Sequence, residues 1–354
     1  MILANPPLKR ASRRRLGAVF GPAINQPRID RRPLFTERHL PLLIETSAEI
    51  EPRGWADAHH DELKSHLRER GAVLLRGFAA ADPESFAGLI RDLADGAEFR
   101  PLENRSAPCT AVSERLDTST EYPPQHEVPL HQEFSNVASC PSILAFRCEV
   151  AAEERVDMPI TDCAALYRRM PETVRTAFET RGVMYVRNYG HHLGLSWQEA
   201  FQTETRAEVE AICQADGIEF EWLAHDCLRT RKRCAAVRRH PESGDLLWFN
   251  QAHLFHVDNL PKEIGAYRRS HFARQDLSRN ACFGDGSPID GDTLRVLNRA
   301  WAAETVAFPW QVNDLLLLDN VRVAHCRQIY RGDRHIQAGM AGVVPAPPAP
   351  ELPA

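Results

Sequence analysis

The sequence predicts a mainly β chain with helices (α+β), its second half folded as an antiparallel double sheet of the jelly-roll type. Three observations carry this. Short apolar runs of four to eight residues, bounded by Gly, Pro, Asn or Asp, recur at 72–75, 143–150, 183–187, 246–249, 315–318 and 339–344. Helix signals do not alternate strictly with them, which argues against a doubly wound parallel sheet. The runs of the second half are interrupted by a single helical stretch, as in a jelly roll with an insertion.

The helices are read from their start signals. Asp82 followed by Pro83 is an N-cap and first-turn pair, after which Phe86, Leu89, Ile90 and Leu93 recur at helical spacing before Gly96. Asp162 caps a helix carrying Ala165, Leu166 and Met170, and Pro171 starts a second through Val174 and Phe178 to Gly182. Ser196 with Glu199 forms a capping box, and a further helix with Val209 and Ile212 ends at Gly217.

Bulk properties narrow the function classes. The chain has 354 residues, 43% of them hydrophobic and 26% charged, which is globular composition with ample material for a core. A net charge of -5 offers no field for nucleic acid. No apolar run reaches membrane-spanning length, and nine cysteines without a CxxC pair read as reduced thiols, so a cytoplasmic protein is expected. The first forty residues are rich in Arg and form a basic arm, read as a solvated strap. They match a transit peptide in composition but lack its amphipathic periodicity. Residues 41–343 then form one domain with a helical insertion at about 190–235, and 344–354 are a Pro/Ala-rich tail, extended and loosely held.

The chemistry concentrates in two places. In Pro129-Leu130-His131-Gln132-Glu133, a His and a Glu stand two apart, which on a strand turns both to one side. His-x-Glu alone is common. The buried run 315–318 is followed by His325, and nine residues later comes Arg334. Two His and one carboxylate make the facial triad of non-haem iron, which leaves positions open for oxygen and a cosubstrate. Arg334 has the planar fork that binds a carboxylate bidentately, as on the far end of a 2-oxo diacid.

These segments resemble the taurine dioxygenase (TauD/TfdA) family of iron(II)/2-oxoglutarate oxygenases, in particular a SyrP-like branch. Besides the His131/Glu133 and His325 blocks, the similar stretches are Gly71-Ala72-Val73-Leu74-Leu75-Arg76-Gly77-Phe78, Asp117-Thr118-Ser119-Thr120-Glu121-Tyr122-Pro123, Gly182-Val183-Met184-Tyr185-Val186-Arg187-Asn188-Tyr189, Arg239-His240-Pro241, Trp248-Phe249-Asn250-Gln251-Ala252-His253 and Gly284-Asp285-Gly286-Ser287-Pro288-Ile289. The resemblance implies a double-stranded β-helix (jelly roll, cupin-like), iron(II) on His131, Glu133 and His325, 2-oxoglutarate held by Arg334, and O2 as oxidant. It implies a hydroxylase acting on a small molecule, an amino acid free or tethered to a carrier protein, in specialised metabolism. Retention of the Glu133 carboxylate argues against halogenation, whereas desaturation or cyclisation would use the same metal centre.

Two departures from the family pattern stand out. Where the family has a Thr that helps hold the 2-oxoglutarate carboxylate, this chain has Met158, which cannot donate a hydrogen bond. Where the family has an Arg before the Thr-Ser-Thr-Glu-Tyr-Pro segment, it has Cys109. A catalytically impaired member serving as a partner or scaffold is therefore a rival reading, as is a cupin-type metal enzyme that needs no 2-oxoglutarate. Ser119, Cys109, Asn250 and Gln251 are candidate substrate-lining residues, although buried amides more commonly serve the backbone. His253 and His256, three apart, read as structural or substrate-lining rather than as a second metal pair, and Cys326 is not read as a ligand.

Overall fold

The computed structural model describes residues 28–99, 111–113, 116–118, 125–154, 157–190, 195–259 and 276–352. Its centre is two facing sheets. The larger runs, in spatial order, Ile29–Pro33, Leu42–Thr46, Ala72–Arg76, Leu315–Asp319, Ile143–Val150, His335–Ala341, Leu116–Thr118 and Ala111–Ser113. The smaller runs Thr305–Pro309, Asp157–Asp162, Val323–Arg327 and Val128–His131. Successive strands step between the two: Ile143–Val150 crosses to Asp157–Asp162, and Thr305–Pro309 leads to Leu315–Asp319, then Val323–Arg327, then His335–Ala341. That winding is the double-stranded β-helix expected from the sequence.

The run of four leucines at 315–318 shows why this strand sits mid-sheet. Leu316 and Leu318 face Phe146, Cys148, Met158 and Ile160 between the sheets. Leu315 and Leu317 face Leu63, Phe86, Leu89 and Ile90 of the helical layer on the outer side. A strand buried on both faces is apolar throughout rather than alternating. Within the same sheet only Leu42–Thr46 and Ala72–Arg76 pair in parallel, joined through the helices Pro52–Ala58 and His60–Arg70, the kind of crossover a parallel pair demands.

The start signals hold. Asp82 accepts from Ser85 N ahead of Pro83–Leu93, Asp162 from Ala164 N ahead of Cys163–Arg169, and Ser196 with Glu199 completes a capping box. Arg76 anchors the sheet's far end through a bidentate pair to Asp314 (2.9 and 2.7 Å), whose carboxylate is fully buried. Cutting Arg76 to alanine strands that charge, and a loss of about 3–5 kcal/mol is expected in urea unfolding, against a much smaller loss when both partners are replaced by apolar residues.

Three boundaries differ from the sequence reading. The basic arm does not end at residue 40, because Ile29–Pro33 is an edge strand paired antiparallel with Leu42–Thr46, with Arg32 on Glu45 and Arg31 on Glu62. The stretch 190–235 is helical only in its first part. After Trp197–Phe201 and Arg206–Ala215 it forms a hairpin, Glu219–Leu223 with Cys227–Cys234, that extends a sheet with Val183–Tyr189 and Arg279–Phe283. His225 and Asp226 turn it at φ 58° and 57°, the left-handed pair that matches the twist of the strands. The Pro/Ala tail is docked rather than loose: Val344–Pro345 pairs with Ser139–Cys140, and Ala346 N donates to Ala138 O (2.7 Å).

Candidate metal centre

The smaller sheet brings the two histidines together. His131 ends its strand directly opposite His325 in the antiparallel register, and directly opposed residues share a face. Their ring centroids lie 4.5 Å apart, with Phe146 packed 5.0 Å from the His325 ring. The strand stops at His131, so Glu133 is carried by the turn that follows rather than by the strand itself. The turn still delivers the carboxylate: Glu133 Oε1 is 3.3 Å from His131 Nε2 and 3.5 Å from His325 Nε2. Among the described residues this trio is the one group of three or more His, Cys, Asp or Glu whose donor atoms converge, all within 4.8 Å of one another.

What holds the turn was not evident from the sequence. Asn320, fully buried, accepts from Glu133 N (2.8 Å) and donates to Glu133 O (3.0 Å) and Pro141 O (3.0 Å). Phe134 follows at φ 58°, a left-handed conformation that costs a non-glycine residue energy and persists only where the surroundings enforce it. Gln132, also fully buried, donates to Val321 O (2.9 Å), and its own carbonyl accepts from Gln251 Nε2 (2.9 Å). His253 Nε2 meets Leu130 O (2.7 Å) and its ring lies 4.6 Å from Trp301, while His256 Nδ1 accepts from Asp258 N (3.2 Å). Burial pulls the His253 pKa down to about 4, so it serves as a neutral donor to the strand that carries His131.

The electrostatics suit a cation. Burial would raise the Glu133 carboxyl, but the adjoining His131 and His325 outweigh it and hold the group well below the usual carboxylate range. Burial works against protonation of both imidazoles. Glu133 reverses that for His131, whose pKa is raised, while for His325 the neighbouring His131 adds to the burial effect and the pKa is lowered. The His131 Nδ1 contact to Pro129 O (2.8 Å) places the proton on Nδ1 and leaves the Nε2 lone pair facing Glu133. Two imidazole nitrogens and one ionised carboxylate, mutually close and partly desolvated, form a donor set that fits a divalent first-row metal.

Arg334 is the residue just before His335–Ala341, rather than on the strand. Its guanidinium carbon lies 5.3 Å from the Tyr330 ring centre, and Arg327, two residues past His325, lies 5.5 Å from the same ring. Burial draws the Arg334 pKa down to about 10, Tyr330 opposing and Arg327 reinforcing the shift. Met158 is 2% exposed among Phe146, Cys148, Ile160 and Ile336, which makes this corner apolar. The Asn250 amide is taken up by Ala236 O and Ala252 N, and Gln251 by Gln132 O, so both amides serve the backbone. Cys326 is buried with its thiol pushed up to about 12, a protonated and inert group. Ser119 and Cys109 lie outside the described residues.

A double-stranded β-helix with two histidines and a carboxylate converging inside its smaller sheet defines a mononuclear non-haem metal oxygenase. The profile of the family described as taurine catabolism dioxygenase TauD, TfdA family, matches residues 6–340, and the chain belongs to that family. It is an iron(II)- and 2-oxoglutarate-dependent dioxygenase that uses O2. Its relatives include the dapdiamide synthesis protein DdaC of Enterobacter agglomerans, 34% identical over 80% of this chain and 88% of that one. A clavaminate synthase-like protein of Arabidopsis thaliana is 31% identical over 78% and 83%. Among solved structures, PvcB of Pseudomonas aeruginosa shares the fold at a TM-score of 0.53 and 17% identity, covering 88% of this chain and 91% of PvcB. AAD-2, solved with Mn(II) and N-oxalylglycine, gives 0.53 and 14% over 90% and 99%. No helix among the described residues is long and apolar enough to cross a membrane.

Proposed function

We propose that His131 Nε2, His325 Nε2 and the Glu133 carboxylate hold the iron(II), that Arg334 receives the distal carboxylate of 2-oxoglutarate, and that the substrate is an amino acid, free or tethered to a carrier protein, hydroxylated in specialised metabolism. The convergence of the three donor atoms within 4.8 Å carries the reading. Its biosynthetic setting is supported by the 34% identity to a dapdiamide synthesis protein. When bound, iron with 2-oxoglutarate and O2 supplies the oxidising power: one oxygen atom enters succinate as carbon dioxide leaves, and the other enters a C–H bond of the substrate.

The chain's own residues prepare that event. The Pro129 carbonyl and the His253 contact orient His131, and Asn320 fixes the turn beneath Glu133. Phe146, 5.0 Å from the His325 ring, and Ile160, opposite His325 on the neighbouring strand, would keep water from the buried side of the trio. Met158 supplies no hydrogen bond where the family Thr would, so Arg334 carries the cosubstrate's far end with less help. Arg334→Ala should raise the KM for 2-oxoglutarate by about ten- to a hundredfold, the worth of a charged hydrogen-bonded pair, and Met158→Thr should lower it severalfold. Indifference to both in steady-state succinate assays would remove the carboxylate assignment.

Metal loading should be pH-dependent. The raised pKa of His131 means a proton must leave before the metal can bind, so affinity falls as pH drops through that value. Proton release on anaerobic iron(II) addition, read with an indicator dye, checks this. The central test is anaerobic addition of iron(II) and then 2-oxoglutarate. A weak visible metal-to-ligand charge-transfer band is expected, and its absence at saturation would sink the proposal. An amino-acid panel, free and carrier-bound, then reports by mass spectrometry: gain of one oxygen marks hydroxylation, and loss of two hydrogens marks desaturation or ring closure.

A further inference from the structure

The sheet of Val183–Tyr189, Cys227–Cys234 and Arg279–Phe283 carries a group of side chains that the metal centre does not use. The strand registers set Arg187 opposite Arg279 on one side and opposite Thr230 on the other. Residues directly opposed across an antiparallel pair share a face. The nearby cation Lys232 already has its counter-charge, Asp216 at 2.6 Å. Arg279 lies over the Phe255 ring at 5.5 Å. Arg187 has only the Tyr189 ring, 5.1 Å away, and no carboxylate among the described residues meets it. Thr230 is 5% exposed, and its hydroxyl has no hydrogen-bond partner among them.

Both face a small cavity of about 40 Å³. That is room for roughly three waters, hence for a carboxylate or phosphate group and not for a larger body. Its opposite wall is Asn136 and Val137, the end of the turn that begins at Glu133. Tyr185, also lining it, accepts from Gln251 N (2.8 Å), and Gln251 in turn holds the Gln132 carbonyl. The turn that begins at Glu133 therefore runs on to the lining of this cavity.

We infer that this cavity is an anion subsite of the substrate pocket, in which the Arg187 guanidinium and the Thr230 hydroxyl donate to the oxygens of a carboxylate or phosphate group. The fork of Arg187 suits either group. The carboxylate would come from a free amino acid, the phosphate from the prosthetic arm of a carrier protein. The word substrate rests on the proposed oxygenase function; anion binding does not.

Saturation-transfer NMR on the full chain, with acetate and with dimethyl phosphate as probes, tests the anion site directly. Saturable binding is expected, weakened about tenfold or more in Arg187→Gln and severalfold in the near-isosteric Thr230→Val, and unchanged in Lys64→Gln on the far helical layer. Preference for acetate identifies a free carboxylate, and preference for dimethyl phosphate a carrier arm. Failure of the wild type to bind either probe, or equal binding by both cavity variants, overturns the subsite. For the amino acid found in the panel, Arg187→Gln should raise KM about tenfold with little change in kcat, and an unchanged KM would detach the cavity from the substrate pocket. The charge-transfer band separates the two proposals. A wild type with the band but no anion binding loses only the subsite; one that binds anions without the band loses only the iron assignment.

Discussion

Replacing His325 with alanine should abolish metal-dependent succinate formation, a fall of about a thousandfold or more if the metal supplies several kcal/mol of barrier lowering. Three donors converge here, and the loss of one leaves only His131 at the strand end and Glu133 on the turn after it, too few donors to hold the ion. The fold should survive. His325 sits in a strand held on both sides by backbone pairing, and its Nδ1 makes no hydrogen bond whose loss would strand a partner. Metal analysis after anaerobic loading therefore distinguishes a lost ligand from a lost fold, with far-ultraviolet circular dichroism as the fold check. One iron per chain in the alanine variant, with turnover intact, would show that the metal sits elsewhere. Added imidazole offers a second handle, since the space against Phe146 is the right shape for the ring that was removed.

How far the sequence reached can be judged from these residues. The long-range member of the site was legible because His325 follows a doubly buried strand and is itself followed by Arg334, a pattern that local chemistry produces on one strand and its neighbour. Glu133 was placed correctly in space for a partly wrong reason. The alternation rule assumes the strand continues, whereas it stops at His131 and the carboxylate is brought round by a turn with Phe134 in the left-handed region. Nothing local announces such a turn, because what enforces it is an amide on residue 320, far along the chain. The hairpin within 190–235 was partly readable. Glu219, Phe220, Glu221 and Trp222 alternate as a strand does, but half of their partner Cys227–Cys234 is cationic and it shows no apolar run. Its charges are answered from outside the strand, by Asp276, Glu221 and Asp216. Buried arginines such as Arg327 escape a hydrophobicity-based reading for the same reason.

Asn320 is the sharpest case for a residue that acts only through another. Its side chain reproduces across the core the two hydrogen bonds a neighbouring strand would give Glu133, and adds one to Pro141 O. Asn320→Ala leaves one buried N–H and two buried carbonyls without partners, at about 1–3 kcal/mol for each group that water cannot reach. The left-handed Phe134 then loses part of what enforces it, and Glu133 is free to leave the position facing the two imidazoles. Metal affinity is expected to fall about ten- to a hundredfold, the usual cost of removing a group that orients a ligand. Loss of stability alone could mimic this, so the comparison is Asn250→Ala. Asn250 is as deeply buried and bonds Ala236 O and Ala252 N, yet it touches no metal-ligating residue. Both variants should lose comparable stability in urea, and only Asn320→Ala should bind iron(II) more weakly while folded. Equal weakening in the two would mean that Asn320 supports the core and not the carboxylate.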